Sequence, residues 1–316
     1  MLAYVSRISF AAALAASAYV LPAAADPVQV RAGVAVNFEG MLPVLAAEKK
    51  GYLEQANIDL EMLDFQGGGP TVQAFVGDSV DICFCSGDHV MRLRNRNIPT
   101  VFLYGLDNYH NYTLIGKEDL VGPGTLKDLE GKNLGITSPG SMTDNTLRWA
   151  IRELQLDPDS DYSLVGSGTG ASMIAAIESG KVNAGMLVPV DTQFLKSKGG
   201  YKVVEDFTKL PYTAFAALVK ESWVEANPEL AKGFIEALDK AVADLKSDPQ
   251  LGFGIIREMY PSLSDDLIKY AVDSAISRVP EKGQFNQAAI DTLNAIMQSA
   301  DANLKPITVE ESRPKF

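Results

Sequence analysis

Gly135-Ile136-Thr137-Ser138-Pro139-Gly140-Ser141-Met142-Thr143-Asp144 reads as a short strand, a tight turn and the first turn of a helix. Pro139-Gly140 is a turn pair. Ser138 and Ser141 offer hydroxyls, and Asp144 can take up free amides at the start of a helix over 145–153. Such a start points unpaired N–H groups and partial positive charge outward, which suits a small anion or a polar oxygen. A capped helix start without a ligand is the plainer reading of the same residues.

The pattern occurs twice. Gly33-Val34 answers Gly135-Ile136, and Asn37-Phe38 falls on Pro139-Gly140. Gly67-Gly68-Gly69-Pro70-Thr71 answers Gly168-Thr169-Gly170-Ala171-Ser172, and Val80-Asp81-Ile82 answers Val182-Asn183-Ala184. With one more slip, Asp88 answers Asp191. Each copy reads strand, loop, helix, strand, Gly-rich loop, helix, strand, loop. Self-similarity on this scale predicts two α/β lobes, each with the loop ends of its strands available for binding.

The chain has 316 residues, 47% of them hydrophobic, enough for about two domains with real cores. Residues 1–25 carry Arg7, an apolar run and Ala23-Ala24-Ala25, the pattern of a signal peptide cleaved before Asp26. Removing them takes away one Arg and no acid, so the formal charge goes from −12 to −13. An acidic chain with no basic face does not bind nucleic acid non-specifically. Cys83 and Cys85 lie two apart in an apolar strand. There, side chains run parallel, so the pair reads as small buried hydrophobes. A metal site of Cys83, Cys85 and His89 lacks the common zinc spacing. No metal and no cofactor are expected.

Along the chain, strands are predicted over Val28–Val36, Ile58–Phe65, Val80–Cys85, Thr100–Tyr104, Thr113–Ile115, Ser163–Val165, Ala184–Val188, Lys202–Val204 and Ala214–Val219. Gly51 closes the first helix. The chain leaves the first lobe near Asn111–Ile115 and returns near Pro211–Phe215, so lobe 1 is 26–111 with 215–316 and lobe 2 is 112–214. After the return all is helical, with Asn227-Pro228 opening an amphipathic helix. Two further helices, Leu263–Ile276 and Asn286–Ala300, are expected on the first lobe.

With the loops placed, the chain resembles the periplasmic solute-binding proteins of importers for aliphatic sulfonates, taurine, nitrate and thiamine pyrimidine precursors. The residues that carry the likeness are Leu42-Pro43 with Glu48-Lys49-Lys50-Gly51-Tyr52, Gly67-Gly68-Gly69-Pro70 and Val80-Asp81-Ile82. Downstream they are Leu126-Lys127-Asp128-Leu129-Glu130-Gly131-Lys132 and Ser138-Pro139-Gly140-Ser141 with Thr143-Asp144. The resemblance implies a type II periplasmic binding-protein fold: two lobes joined by two crossings, each a mixed sheet flanked by helices, with the ligand cleft between them. It also implies a monomer that closes on a small-molecule ligand and delivers it to an inner-membrane ABC permease.

Loops facing the cleft supply the candidate binding residues. They are Asn37, Phe38 and Glu39; Gly67, Gly68 and Gly69; Ser86, Gly87 and Asp88; Ser138, Gly140, Ser141 and Thr143; Gly168, Thr169 and Gly170; and Asp191. Tyr109, His110 and Tyr112, at the crossing, can stack on a flat ligand or pack the hinge. No Lys or Arg falls in these loops, which argues against a doubly charged ligand on an arginine fork. Helix starts and hydroxyls can hold one carboxylate or sulfonate, and Glu39, Asp88 and Asp191 can pair with an amine. A zwitterion such as taurine, or an aminopyrimidine, suits this set. Two other functions share the fold: a pyrimidine-precursor or cofactor-biosynthesis enzyme, and a periplasmic sensor partner. No catalytic constellation is evident, since only His89 and His110 exist and no Ser-His-Asp or metal spacing occurs.

Overall fold

A computed structural model of the chain describes residues 26–316; the signal peptide expected at 1–25 lies outside them. In chain order the strands are β1 (Val28–Val34), β2 (Ile58–Asp64), β3 (Ile82–Cys85), β4 (Thr100–Tyr109), β5 (Thr113–Lys117), β6 (Asn133–Ile136), β7 (Ser163–Gly166), β8 (Ala184–Leu187), β9 (Tyr201–Asp206) and β10 (Pro211–Lys220). They form two mixed sheets, β2-β1-β3-β10-β4 and β7-β6-β8-β5-β9. The orders correspond strand for strand. In each, the fourth strand runs antiparallel to the third and enters from the far side of a crossing.

The repeat has a physical basis in both sheets. Gly33 stands opposite Cys83 and Gly135 opposite Gly185, at matching register positions. A Cβ at Gly33 would lie 2.8 Å from Thr71 Cγ2, and one at Gly135 2.5 Å from Met173 Sδ. Each glycine therefore lets the helix after the Gly-rich loop lie flat on the sheet. The Asp81 and Asn183 pair is a shared latch. Asp81 Oδ2 accepts from Arg31 N at 2.9 Å, and Asn183 Oδ1 accepts from Asn133 N at 3.1 Å.

The helices of the first lobe are α1 (Leu42–Lys49), α2 (Tyr52–Gln55), α3 (Gly68–Val76) and α4 (Asp88–Arg94). Those between the crossings are α5 (Glu118–Val121), α6 (Met142–Glu153), α7 (Ala171–Glu178) and α8 (Pro189–Lys198). The chain ends with α9 (Glu221–Ala226), α10 (Pro228–Ser247), α11 (Pro249–Met259), α12 (Asp265–Arg278) and α13 (Gln287–Ala300). No helix among the described residues is long and apolar enough to cross a membrane. Gly51 takes the left-handed conformation (φ 69°) that ends α1.

Several expectations change. Helix α6 starts at Met142, with Ser141 as its N-cap, and Asp144 reaches back to accept from Gly140 N at 2.7 Å. Strand β4 continues past Tyr104 to Tyr109, and β10 begins at Pro211, before the Ala214 expected. The C-terminal helices do not rest on the first lobe alone: α12 packs on α1, β4 and α8, and α13 on β10, α4 and α6. Cys83 and Cys85 are joined by a disulfide, against the reading of two buried free thiols. Their Cα atoms are 5.5 Å apart, closer than an extended strand allows and inside the range a disulfide spans. Both sulfurs are thereby removed as thiolate ligands.

The chain passes from one sheet to the other between Tyr109 and Thr113 and returns between Asp206 and Pro211. Arg278, at the end of α12, holds both passages. Its guanidinium donates to Asp107 Oδ2 (3.0 Å), to the carbonyls of Tyr109 (2.9 Å) and His110 (2.8 Å), and to that of Thr208 (3.2 Å).

Candidate functional site

Four of the expected loops meet where the N-terminus of α6 faces those of α3 and α4. Between them is a small cavity of about 30 Å³, lined by Ala35, Val36, Phe38, Gly68, Ser86, His89, Asn111, Tyr112, Thr137, Ser141, Met142, Thr143, Ala214 and Phe215. That is room for about one or two waters, so an organic solute enters only if the lobes draw apart. On the other side of Phe38 an open groove of about 420 Å³ continues outward. Asn37, Asp64, Gln66, Thr169, Gly170, Asp191, Phe194 and Tyr260 are among its walls. Val36 and Phe38 line both, so the Phe38 ring is the partition. It packs edge-on against Phe215 at 4.9 Å and lies over Gly40, where any Cβ would strike it.

The two sides of the cavity differ in how their polar groups are held. On the α6 side, Thr137, Ser141 and Thr143 form a closed hydroxyl triangle with edges of 2.9, 2.9 and 3.0 Å, and Thr143 Oγ1 also accepts from Thr137 N. On the opposite side, Ser86 Oγ, both His89 ring nitrogens and Asn111 Oδ1 are buried without a protein partner. Burial pushes the His89 pKa down, ahead of the opposing effect of Asp88, so the ring is neutral and presents one donor and one acceptor. Gly68 makes room for it: a Cβ there would stand 2.9 Å from His89 Nε2.

Ties cross the cleft. Arg92 Nη1 on α4 donates to the Gly140 carbonyl at 2.7 Å, and Asn145 Nδ2 on α6 donates to Asp88 Oδ2. Val190 N on α8 donates to Glu39 Oε1 at 3.2 Å. The Ser138 hydroxyl lies against Gly67 and Gly69, where Cβ atoms would come within 3.3 and 3.5 Å.

Of the residues singled out from sequence, Phe38, Gly68, Ser86, Ser141 and Thr143 line the small cavity. Asn37, Thr169, Gly170 and Asp191 line the groove, where burial pushes the Asp191 carboxyl up to about 6. Gly67, Gly69, Ser138 and Gly140 sit at the lobe contact, as do Glu39 and Asp88. Gly87 serves packing: its N–H donates to Thr213 O at 2.8 Å, and a Cβ would overlap Thr213. Gly168 makes a left-handed turn (φ 73°) beside Ser172 and lines neither space.

The crossing aromatics divide. Tyr112 reaches the cavity, but Tyr109 and His110 do not. The Tyr109 ring lies under the Arg278 guanidinium at 5.7 Å. His110 is fully buried, accepting from Tyr112 N through Nδ1 and paired with Thr146 Oγ1 through Nε2 at 2.9 Å. Burial and the nearby Arg278 charge push its pKa down to about 3. It packs the crossing between the two sheets. Asn111, Thr137 and His89 as a cavity residue were not foreseen. A signal existed for His89, which directly follows the third loop and is one of two histidines. Among the described residues no Lys or Arg lines either space.

Comparison with known proteins bears on these features. A family model described as NMT1/THI5 like matches residues 39–251. A putative binding protein of Bacillus subtilis, YtlA, is 23% identical over 205 residues, spanning 63% of this chain and 60% of its own length. The yeast 4-amino-5-hydroxymethyl-2-methylpyrimidine phosphate synthase THI5 is 22% identical over 244 residues, 72% of this chain and 69% of its own. Among solved structures, the alkanesulfonate-binding protein SsuA of Xanthomonas axonopodis pv. citri, bound to MOPS, superposes with a TM-score of 0.74. It is 18% identical and matches over 92% of this chain and 99% of its own. The periplasmic nitrate-binding protein NrtA of Synechocystis PCC 6803 gives 0.69 at 13% identity, over 91% and 84%. At these identities the structures show a shared binding-protein fold.

Proposed function

We propose, for a chain that belongs to the NMT1/THI5-like family, that it is the periplasmic solute-binding component of an ABC-type importer. It captures a small organic solute between its two lobes and presents it, as a monomer, to an inner-membrane permease. The observation that carries this is the ring of unpartnered buried groups, Ser86 Oγ, both nitrogens of His89 and Asn111 Oδ1, around a cavity between the two sheets. Leaving a buried polar group unpaired costs about 1–3 kcal/mol, so a cavity with several favours a polar occupant. The similarity to sulfonate- and nitrate-binding proteins supports the transport reading.

The solute is a sulfonate- or taurine-like anion or zwitterion, or an aminopyrimidine. The α6 helix start, braced by its hydroxyl triangle, suits one oxygen-rich end through its free amides. The Phe38, Tyr112 and Phe215 rings suit a flat or apolar body. Neither space offers a fixed cation for a second negative charge. The test is native mass spectrometry of the purified protein, followed by melting curves with taurine, an alkanesulfonate and an aminopyrimidine. A co-purified small molecule, or a rise in melting temperature with one of the three that saturates, is expected. No bound molecule and no shift with any probe would sink the reading. A second reading, a biosynthetic enzyme, is favoured by the yeast synthases and predicts consumption of the aminopyrimidine rather than its reversible binding.

A further inference from the structure

Glu39 is a buried acid that the solute site does not use. It is 2% exposed and opens the short 3-10 turn Glu39–Met41 between β1 and α1. Its Oε1 accepts from Val190 N in the first turn of α8, so a carboxyl group rooted in one lobe ends on a helix start of the other. Its Oε2 is buried without a partner. A carboxylate with one oxygen unpaired away from water is costly, whereas the neutral acid is far less so.

The surroundings do not supply a free counter-charge. From α8, Asp191 brings a like charge. From α12 come Tyr270 and Arg278, and Arg278 is already committed to Asp107 of β4 and to three carbonyls. Tyr260 closes α11 and Tyr112 follows β4, both phenols that burial keeps neutral. The stretch 42–47 of α1, packed on the same turn, carries no titratable group.

We propose that closure of the lobes is coupled to proton uptake by Glu39: the closed arrangement holds it as a neutral acid, and separation lets it ionise in water. It rests on the reading that the lobes move. Burial first, with the Asp191 charge adding to it, pushes the carboxyl up to about 8 in this closed arrangement, from an ordinary 4.5. A group raised in this way favours the closed form fully below 4.5. The contribution declines above that and is lost as pH rises through 8.

Small-angle scattering of the purified protein between pH 5 and 9, with no solute added, tests this on the wild type and three variants. The wild type should expand as pH rises, its closed-to-open ratio falling roughly tenfold or more between pH 6 and 8. Glu39→Gln keeps the shape of the neutral acid and should stay compact, with a change under about twofold. Asp191→Asn removes the like charge, makes the ionised acid less costly in the closed form, and should move the opening midpoint to higher pH. Glu39→Lys sets a cation against a helix start and should hold the lobes apart at every pH. A flat wild-type profile, a Glu39→Gln profile that follows the wild type, or a midpoint lowered by Asp191→Asn overturns the coupling. If Glu39→Lys is also as compact as the wild type at pH 6, the lobes do not separate and the moving-lobe reading fails too. If it opens while Glu39→Gln tracks the wild type, only the proton coupling fails.

Discussion

The two lobes share a strand order, a pair of packing glycines and the Asp81/Asn183 latch, yet they present opposite kinds of surface to the cavity. Between the crossings, the hydroxyls of Thr137, Ser141 and Thr143 are fully occupied with one another and with a helix cap. In the first lobe, Ser86 and His89 are buried and unpaired. One wall is preorganised and the other is left unsatisfied by the protein itself. A duplicated scaffold thus supports two chemistries, because the latch and glycines fix the strands while the loops at their ends vary.

The largest effect is expected where the halves are tied. Arg278→Met removes a nearly buried guanidinium and leaves the Asp107 carboxyl without its partner. Losing one side of a buried pair costs about 3–5 kcal/mol, measurable by urea unfolding; a loss under about 1 kcal/mol would mean the tie is ornamental. Burial already pushes Asp107 up to about 6 despite the guanidinium. That raised pKa contributes stability below the ordinary 3.8 that fades as pH rises through 6, so the variant should be hurt most above pH 6.

Next comes the loop in which the lobes differ by one side chain. Gly68 corresponds in the repeat to Thr169, so Gly68→Thr gives the first lobe the second lobe's residue. The new Cβ meets His89 Nε2, and binding of the identified solute should weaken about tenfold or more, near 1.4 kcal/mol. Thr169→Gly, in the open groove, should change it less than about threefold, roughly 0.6 kcal/mol. Calorimetry on both variants decides it, and equal losses would erase the distinction between the walls.

The smallest effect separates a satisfied hydroxyl from an unsatisfied one. Ser141→Ala removes the cap of α6 and leaves Thr137 and Thr143 each short of a partner, which should cost the solute-free protein about 1 kcal/mol. Ser86→Ala removes a hydroxyl with no partner and should leave the melting temperature of the solute-free protein unchanged or raise it. If the two variants melt alike, the contrast between the walls has no energetic content.

The two-lobed α/β architecture was legible because its markers are local: glycines under helices, an acid or amide at a strand start, a Gly-rich turn before a helix. What escaped depends on distant partners. Read from sequence, strand β4 ends at Tyr104, one residue before Gly105, and glycine usually weakens a strand. In the fold, Gly105 is admitted because a Cβ there would lie 2.9 Å from the Phe285 ring and 3.0 Å from the Gly283 carbonyl, both far along the chain. The cleft loops were legible as loops, but which of their residues turn inward was not. Gly87 and His89 stand two apart, and only the approach of Thr213 on one and of Gly68 on the other separates a packing residue from a cavity wall. The disulfide escaped for a similar reason, since a strand drawn in to 5.5 Å between alternate Cα atoms departs from ideal spacing.

The strand order carries a consequence for how this chain comes to be folded. Strands β5 to β9 are contiguous, so their sheet can assemble as soon as that stretch exists. The other sheet waits: β3 and β4 do not touch each other, and β10, which joins them, arrives only at Pro211–Lys220. Closing so long a gap before any bond is gained is slow. Until β10 docks, β3 and β4 each leave an edge open to any passing strand. The first lobe, begun earlier along the chain, is thus the later to be finished, and for that interval it is the half most in need of protection from aggregation.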